Sequence, residues 1–421
     1  MSSRPRVLVL SQCLPYPPDS GVTNRTFNVL QQLQREFDVV VVPYYRRNHQ
    51  PTAEALLAAR ATLEGFVTRV ATPVPIRAEH ALVRRVWDHA RSLVSGRAYT
   101  YYEYASRQYR DQLQRALAEA PPALIHLDSL VLHRWIPHLP RVPQVCTHHN
   151  IESDVLRLRA ARTRSPLLGR YILHQAGRVE ATERRLVAAF RANIMMSQQD
   201  AERLRRLAPH ARTVVAPNGV DTSFFVPQAG RPAIPGRIAF LGPTYLFPNR
   251  DGMEYLLERI WQQIRAALPA ATLRLIGRSP AADRARFDAV PGVACLGLVP
   301  DIRPHLAEAG CCVVPLRVGG GTRLKILDSW AMGKAVVSTS LGCEGLDAVD
   351  GENILIRDDP KAFAEAVVAV LTDAGLRGRL ERNARQTVEQ RYSWDMIGER
   401  LRAAYHEIIA SRLAQPVVLQ A

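Results

Sequence analysis

A glycine-rich turn that runs into two cations is the segment of this chain best suited to bind a ligand. Residues 319–328 read GGGTRLKILD, and the turn consists of Gly319, Gly320, Gly321 and Thr322. Its backbone N–H groups would lie at the positive end of a helix dipole. Arg323 and Lys325 add positive charge in the first helical turn, where an anion is favoured. A diphosphate fits, with arginine as a bidentate donor and lysine as a point charge. Asp328 could accept hydrogen bonds from ribose hydroxyls. The alternative is that both cations are solvated surface residues.

A second group of polar residues follows two strand-like runs in the first half of the chain. It comprises His126, Asp128, His148, His149, Asn150 and Glu152. His149 could orient an acceptor hydroxyl or stabilise developing charge. Single histidines near strands are often structural, and this alternative stays open. No HExxH or CxxC pattern occurs, so we predict no metal site.

The first loop offers a third candidate. Residues 15–21 read PYPPDSG and lie between a strand pattern and a helix pattern. Ligands of open α/β sheets bind beyond the carboxyl ends of strands. Gly21 would let the backbone approach a phosphate at a helix N-terminus, although the segment taken alone is better explained as a plain proline-rich turn.

Length and charge narrow the class of protein. The chain has 421 residues, which suits two α/β domains rather than one core. The net charge of +16 fits a nucleic-acid binder, a protein on an anionic membrane, or an enzyme for phosphate-bearing substrates. We disfavour nucleic acid, because no RNA-binding aromatic pair or helix-turn-helix is recognisable. The arginine-rich stretch 157–191 could rest on anionic lipid or be a solvated helix face.

The compartment follows from the cysteines and the apolar runs. Six scattered cysteines favour a reducing cytoplasm. No apolar run is long enough for a membrane span, and the initial run is better explained as a buried strand than as a signal peptide. We therefore expect a cytoplasmic protein, with peripheral contact at the inner face of the membrane as an open alternative.

Strand and helix patterns alternate along the chain, which predicts parallel sheets covered on both faces. The first strand is expected at 6–10, the first helix at 23–34 and a long helical stretch at 152–190. The pattern restarts after a proline-containing segment at 231–236, where a strand at 237–241 precedes a helix at 252–268. Two successive Rossmann-like units are the expected framework.

Several of these segments together resemble glycosyltransferase family 4, the group 1 glycosyltransferases of the GT-B fold. The resemblance rests on GGGTRLKILDSWAMGKAVVST at 319–339, PNGVD at 217–221, CTHHN at 146–150, FLG at 240–242 and LIG at 275–277. GCEGL at 342–346 resembles the donor loop that follows. The PYPP opening and the FPNRDG segment resemble a branch associated with exopolysaccharide synthesis. The resemblance covers essentially the whole chain.

The resemblance implies two Rossmann-like domains whose parallel sheets face a central cleft. The acceptor-binding domain would be 1–216, joined by the C-terminal helix 395–421, and the nucleotide-sugar-binding domain would be 217–394. The chain would transfer a sugar from a nucleoside-diphosphate sugar, such as a UDP-sugar, to a glycan, lipid-linked or small-molecule hydroxyl with retention of configuration. No cofactor or essential metal is expected.

The resemblance also implies roles for individual residues. Catalysis would fall to His149, Arg323 and Lys325, because the leaving diphosphate can take the acceptor proton while the cations stabilise it. Donor binding would involve Gly21, Gly242, Arg250, Gly277, Gly319, Gly320, Gly321, Thr322, Asp328 and Glu344. Acceptor binding would involve Asp128, His148, Asn150 and Glu152.

The chain departs from the family pattern at two points. The family has two glutamates eight positions apart, but here Gly320 occupies the first position and Asp328 the second. The usual Arg and Lys after the first strand of the second domain are also absent, so the phosphate contacts would pass to Arg323 and Lys325 with help from Arg250. Two alternatives therefore stay open, namely a nucleotide-sugar epimerase or hydrolase, and a non-catalytic nucleotide-sugar-binding partner.

Overall fold

The computed structural model describes residues 4–47, 49–76, 82–161, 163, 165–319 and 323–411. These residues divide into two compact units, one within Met1–Pro217 and Gly398–Ala421 and the other Asn218–Ile397. Each unit is a parallel sheet with helices packed on it, which confirms the predicted fold class. In the part of the chain that the structure describes, no helix combines the length and the apolar character needed to cross a bilayer.

The sheet of the first unit consists of strands that pair in parallel. They are β1 (Arg6–Ser11), β2 (Asp38–Tyr45), β3 (Arg69–Val70), β4 (Val74–Pro75), β5 (Leu124–Leu127), β6 (Gln144–His148), β7 (Ala192–Met195) and β8 (Thr213–Val215). Their order is β3-β2-β1-β5-β6-β7-β8, and β4 also pairs with β2. The central strands are buried along nearly their whole length, because helices cover both faces of a parallel sheet.

The helices of the first unit are α1 (Gly21–Leu33), α2 (Ala53–Glu64), α3 (Leu82–Ser95), α4 (Thr100–Glu103), α5 (Arg107–Glu119), α6 (Glu152–Ala161), α7 (Pro166–Val187) and α8 (Gln198–Leu207). A 3-10 segment covers Leu130–His138. The predicted helical stretch at 152–190 is two helices rather than one. The reason is local: Ser165 caps the second helix by accepting from the Leu168 N–H, and Pro166 occupies its first turn.

The second unit repeats the arrangement. Its strands are β9 (Arg237–Leu241), β10 (Thr272–Ile276), β11 (Val293–Gly297), β12 (Cys311–Val314), β13 (Val336–Ser338) and β14 (Leu355–Ile356), in the order β11-β10-β9-β12-β13-β14. Its helices are α9 (Phe247–Tyr255), α10 (Trp261–Ala267), α11 (Ala281–Asp288), α12 (Arg303–Ala307), α13 (Leu324–Ala331), α14 (Pro360–Thr372) and α15 (Ala374–Arg391). A π-helical turn at Leu256–Ile260 joins α9 to α10, so the helix predicted at 252–268 begins earlier and is not regular throughout.

The last helix, α16 (Trp394–Ala410), contributes to the first unit through its second half. Arg402 donates to Glu36 at 2.7 Å and to the Gln32 side chain at 2.7 Å. The ring of Tyr405 is buried against Phe37, at 6.1 Å between centroids. A segment some 370 residues later in the chain thus packs against the end of α1.

The PNGVD segment owes its glycine to close packing within the second unit. A Cβ on Gly219 would lie 2.8 Å from the Tyr392 carbonyl oxygen and 2.9 Å from the Trp394 ring. The next residue, Val220, donates its N–H to the same carbonyl at 2.8 Å. Any larger side chain would push the two segments apart.

Candidate functional site

The strand order of the second unit changes direction between β9 and β12. From β9 the chain winds outward to β10 and β11, and then returns to β12 on the other side. The loops after β9 and β12 therefore diverge at one point of the sheet edge, where α/β folds bind ligands. The predicted glycine-rich turn is the loop after β12.

These two loops contact one another closely. A Cβ on Gly319, whose φ is +109°, would lie 3.0 Å from the Pro248 side chain. A Cβ on Gly252 would likewise lie 3.1 Å from the Leu316 side chain and 3.2 Å from the Pro315 carbonyl oxygen. Glycine at these positions lets the start of α9 lie directly on the loop after β12.

Two further glycines lie directly after the neighbouring strands β9 and β10. Gly242 and Gly277 both have φ of +147°, a conformation that side chains rarely adopt. A Cβ on Gly277 would lie 2.6 Å from the Gly242 backbone, and one on Gly242 would lie 2.7 Å from Asn249. Close packing against the Asn249 side chain accounts for Gly242, and packing against the Gly242 backbone accounts for Gly277, while a donor contact by either stays a prediction.

Lys325 is held by the start of α9. Its Nζ donates to Asn249 Oδ1 at 2.6 Å and lies 5.2 Å from the Phe240 ring centroid. Asn249 is itself fixed, because its Nδ2 donates to the Pro243 carbonyl at 3.0 Å. Burial, with the positive charge of Arg323 as a second cause, lowers the pKa of Lys325 to about 7. An anion bound here would restore the charged form.

Arg323 is buried at the N-terminus of α13. Its Nη2 donates to the Gly319 carbonyl at 3.1 Å and to the Leu341 carbonyl at 2.8 Å. Burial lowers its pKa, and the negative charge of Glu344 acts in the opposite direction. The alternative that the two cations are solvated surface residues is therefore wrong, because Arg323 is buried and Lys325 half-buried.

The remaining predicted donor residues are placed as follows. Asp328 is half-buried on α13, and burial raises the pKa of its carboxyl to about 7. Arg250 donates through Nε to Asp283 Oδ2 at 3.1 Å, an atom that also accepts from the Thr244 hydroxyl at 2.8 Å. Gly320, Gly321 and Thr322 lie outside the described residues.

The first unit has its own switch point, between β1 and β5. Asp128, directly after β5, accepts from the Ser11 hydroxyl at 3.2 Å and from the Thr26 hydroxyl at 3.0 Å. All three side chains are buried. The end of β1, the first helix and the end of β5 are thus tied to one carboxylate.

The carboxylate residue also fixes His149. The Nε2 atom of His149 lies 2.8 Å from the Asp128 carbonyl oxygen and 3.6 Å from Asp128 Oδ1. Since a carbonyl oxygen only accepts, we infer that Nε2 carries the proton and donates. In the neutral ring Nδ1 is then left as an acceptor.

His148 and His126 are placed in the interior instead. His148 Nε2 lies 2.9 Å from Asn193 Oδ1, and His126 Nε2 lies 2.8 Å from the Thr147 hydroxyl. Burial lowers the pKa of both rings to about 4, so both are neutral at pH 7. An acceptor contact by His148 stays a prediction, although its Nε2 is occupied by Asn193.

The other predicted residues of the first unit lie at loop and helix starts. Gly21 is the first residue of α1, and open space surrounds the position of its absent Cβ. Asn150 is half-buried in the turn after β6. Glu152 begins α6, and burial raises the pKa of its carboxyl while His149 lowers it. Glu152 also lines a small cleft beside Tyr99 and His133.

Sequence reasoning missed four residues of these clusters, namely Ser11, Arg25, Thr26 and Asn249. Arg25 is buried and donates to the Pro217 carbonyl at 3.0 Å. Only the position of Ser11 at the end of the first strand, and of Asn249 within FPNRDG, offered a local signal. In the part of the chain that the structure describes, no three His, Cys, Asp or Glu side chains are grouped to hold a metal ion.

Two family profiles match this chain, and together they cover most of it. The profile "Glycosyltransferase Family 4" matches residues 19–224, and "Glycosyl transferases group 1" matches residues 235–373. A lipopolysaccharide core biosynthesis glycosyltransferase, LpsE of Rhizobium meliloti (strain 1021), is 33% identical over 178 residues. That alignment covers 39% of this chain and 48% of the relative, so it spans about half the relative's length.

Solved structures agree on the fold. Sucrose-phosphate synthase from Thermosynechococcus elongatus superposes with a TM-score of 0.68 at 17% identity, over 96% of this chain and 100% of that one. Anabaena Alr3699/HepE in complex with UDP superposes with a TM-score of 0.64 at 14% identity, with the same coverage, and the same protein is known with UDP-glucose. The chain belongs to the group 1 glycosyltransferases of family 4 and has their GT-B fold.

Proposed function

We propose that this chain transfers a sugar from a nucleoside-diphosphate sugar to an acceptor hydroxyl with retention of anomeric configuration. The observation that carries the proposal is the pair of cations, Arg323 and Lys325, held at the N-terminus of α13 where the loops after β9 and β12 diverge. Both are kept in place by neighbouring backbone or amide oxygens before any ligand arrives. A diphosphate is the anion that suits two cations and a helix N-terminus.

The low pKa of Lys325 supports an anionic ligand. Its ammonium faces an amide oxygen and an aromatic ring, and the burial that lowers its pKa to about 7 disfavours the charge. A bound diphosphate would reverse this effect, because an opposite charge at close range stabilises the ammonium. In this proposal Lys325 therefore becomes fully protonated when the donor binds.

In the proposed reaction the bond between the anomeric carbon and the diphosphate oxygen breaks, while a bond to the acceptor oxygen forms on the same face. The acceptor proton passes to the leaving diphosphate, and the nucleoside diphosphate departs. Arg323 and Lys325 stabilise the charge that develops on the diphosphate. Asp328 accepts from the donor's ribose hydroxyls, with Gly242, Gly277, Gly319, Arg250 and Glu344 around the donor. No essential metal is required in this scheme.

The first unit would bind the acceptor. His149, fixed through Nε2 by Asp128, leaves Nδ1 to accept from an acceptor hydroxyl. LpsE is named for lipopolysaccharide core biosynthesis, so a saccharide on a lipid carrier is our first choice of acceptor. UDP-sugars are the first donors to test, because HepE binds UDP and UDP-glucose. The assignment of acceptor and donor to the two units stays a prediction.

The test is a thermal-shift and turnover screen against a panel of nucleotide sugars, with Lys325→Ala and Arg323→Ala alongside. We expect one donor to raise Tm and to be hydrolysed slowly without acceptor. Each variant should lose about 100-fold or more in kcat/KM, the usual effect of removing one donor to a developing anion. Lys361→Ala is the matched control, since Lys361 is exposed on α14, where it lies 3.9 Å from Glu365.

Four outcomes would contradict the proposal or one part of it. Failure to bind any nucleotide or nucleotide sugar would remove the diphosphate site, and binding without turnover would favour a non-catalytic partner. A product of inverted configuration by NMR would overturn retention. Treatment with EDTA should leave turnover unchanged, and a loss of activity that Mg²⁺ or Mn²⁺ restores would contradict the metal-free scheme.

A further inference from the structure

Helix α3 has its apolar side on the outside. Val83, Val86, Trp87 and Val94 are 70%, 60%, 69% and 91% exposed. At 100° per residue these positions share one face of the helix, together with Ala90. A helix of a globular protein normally turns such a stripe toward the core, so this face calls for a partner.

The inward side of α3 is polar and is bonded to α7. His89 Nδ1 lies 2.5 Å from the Tyr171 hydroxyl, and the Gln175 side-chain amide donates to the Ser92 hydroxyl at 2.9 Å. Arg178 donates to the backbone carbonyls of Ser92 and Leu93. Turning the apolar stripe inward would break these bonds, so its exposure is fixed by the packing of α3.

Exposed apolar residues also occur at the start of α7. The contacts His89–Tyr171 and Ser92–Gln175 advance in the same direction along both helices. Leu167 and Leu168, about one turn before Tyr171, are 77% and 48% exposed.

The charges around this face are positive. Arg84 and Arg91 are exposed on the flank of α3 beside the stripe, and Arg85 is exposed on the opposite side near His89. The acid of this helix, Asp88, is half-buried. The arginine-rich stretch 157–191 is the candidate that the sequence alone offers, but there Arg157 and Arg184 form ion pairs with Glu180. The better complement to an anionic surface is therefore α3.

We propose that α3 is a docking face for an anionic phospholipid bilayer, with Val83, Trp87 and Val94 at the boundary between headgroups and acyl chains. An apolar stripe flanked by arginine and carrying tryptophan is the composition of helices that lie in a membrane surface. An apolar groove of a protein partner would suit the stripe, but it would not account for arginines without exposed acids on the same helix. The proposal does not depend on the transferase activity, because it concerns binding alone.

Trp87 provides a built-in probe. The other tryptophans, Trp135, Trp261, Trp330 and Trp394, are at most 5% exposed, so a change of emission reports mainly on α3. The full chain should be mixed with vesicles of phosphatidylglycerol and phosphatidylcholine, and with phosphatidylcholine alone. We expect co-sedimentation, a blue shift and quenching by brominated lipid with the anionic vesicles only.

Substitutions on α3 test whether vesicle binding depends on its apolar face. Val83→Ser/Val94→Ser should lower the partition coefficient at least tenfold, while Arg84→Gln should lower it about fivefold. Leu57→Ser is the matched control, because Leu57 is 66% exposed on α2 and should leave binding unchanged. Circular dichroism and Tm should be unaltered in all of them, since the substituted side chains are exposed.

Several results would overturn the proposal. One is no vesicle binding at low ionic strength, and another is binding in which Trp87 emission does not change. Binding that the Leu57 and Val83/Val94 variants reduce equally would also overturn it. If the chain instead self-associates, and the Val83/Val94 variant abolishes that association without any lipid effect, the face is a protein interface and the lipid assignment is wrong.

Discussion

The polar clusters at the two switch points differ in how far their groups are satisfied by hydrogen bonds within the protein. In the first unit Asp128 collects two hydroxyl donors and a histidine, so its neighbours satisfy one another. In the second unit Lys325 is held by one amide oxygen, and burial lowers its pKa to about 7. The first arrangement links the ends of two strands and a helix, whereas the second holds a cation in surroundings that disfavour its charge. In our proposal a bound diphosphate would restore that charge.

This difference predicts which cluster contributes to stability and which is kept for binding a ligand. A network that is internally satisfied costs stability when any member is removed. A cation poised for a ligand can be replaced by an apolar side chain with little loss of stability, although the ligand is then lost. Substitution of Asp128 should therefore lower stability, whereas substitution of Lys325 by an apolar residue should change it little or raise it.

The largest effect is expected from Asp128→Ala. The Ser11 and Thr26 hydroxyls would lose the carboxylate and donate instead to the Cys13 and Val22 carbonyls, which lie at 2.7 Å and 3.0 Å. The buried cation Arg25 would lose a negative charge that raises its pKa. We expect the free energy of unfolding to fall by about 2 kcal/mol or more, mainly because of this lost charge. Urea unfolding measures it, with the exposed Asp111→Ala as the control. A loss below about 1 kcal/mol would show that the network is not stabilising.

Acidification should change the stability of the two units in opposite directions, by a smaller amount than Asp128→Ala. Burial lowers the pKa of His126, His133 and His148 from 6.5 to about 4, so the unfolded chain binds more protons between these values. Burial also raises the pKa of Glu183 to about 7, which offsets the effect of about one histidine, so the first unit loses stability on balance as pH falls from 7 to 5. The expected loss is on the order of 1 kcal/mol for each histidine. In the second unit the pKa of Asp328 is raised to about 7, so the folded state binds more protons and stability increases over the same range.

Hydrogen–deuterium exchange at pH 7 and 5, corrected for intrinsic rates, would locate this difference. Protection of β5 and β6 should decrease on acidification, while that of α13 should not. Loss of protection in α13 first would contradict the comparison.

The smallest effect is expected from Lys325→Met. Removing a buried ammonium relieves its desolvation, but Asn249 Oδ1 loses its donor, so we expect a gain of about 1 kcal/mol or no change at pH 7. Donor binding should vanish in the same variant. The exposed Lys361→Met should change neither quantity. Marked destabilisation by Lys325→Met, comparable to that of Asp128→Ala, would mean that the lysine is structural.

Much of the second-unit site could be predicted because its signals are local. Gly319, Arg323, Lys325 and Asp328 lie within ten residues, and a glycine-rich turn before a helix has a direct electrostatic meaning. Gly242 and Gly277 are likewise recognisable at strand ends, and both have the positive φ that favours glycine. The partner of Lys325 could not be predicted, since Asn249 lies 76 residues earlier in the chain.

The first-unit cluster was harder to predict for the same reason. Thr26 and Ser11 reach Asp128 across 102 and 117 residues. His148 and His149 are adjacent in sequence, yet one is buried against Asn193 and the other is fixed by Asp128. Successive residues at a strand end diverge in direction, and no periodicity shows which of them remains accessible.

The sequence by itself determined the alternation of strands and helices, the two Rossmann-like units and the cationic turn at the start of α13. Those features depend on periodicity, on glycine's backbone freedom and on charge placed at a helix end, all of which act over a few residues. Only the tertiary structure decided which strands are neighbours, which polar groups satisfy Asp128, and that α3 turns its valines and tryptophan outward. These outcomes depend on pairings between distant segments, because the polar side of α3 finds its partners on α7, some 80 residues later.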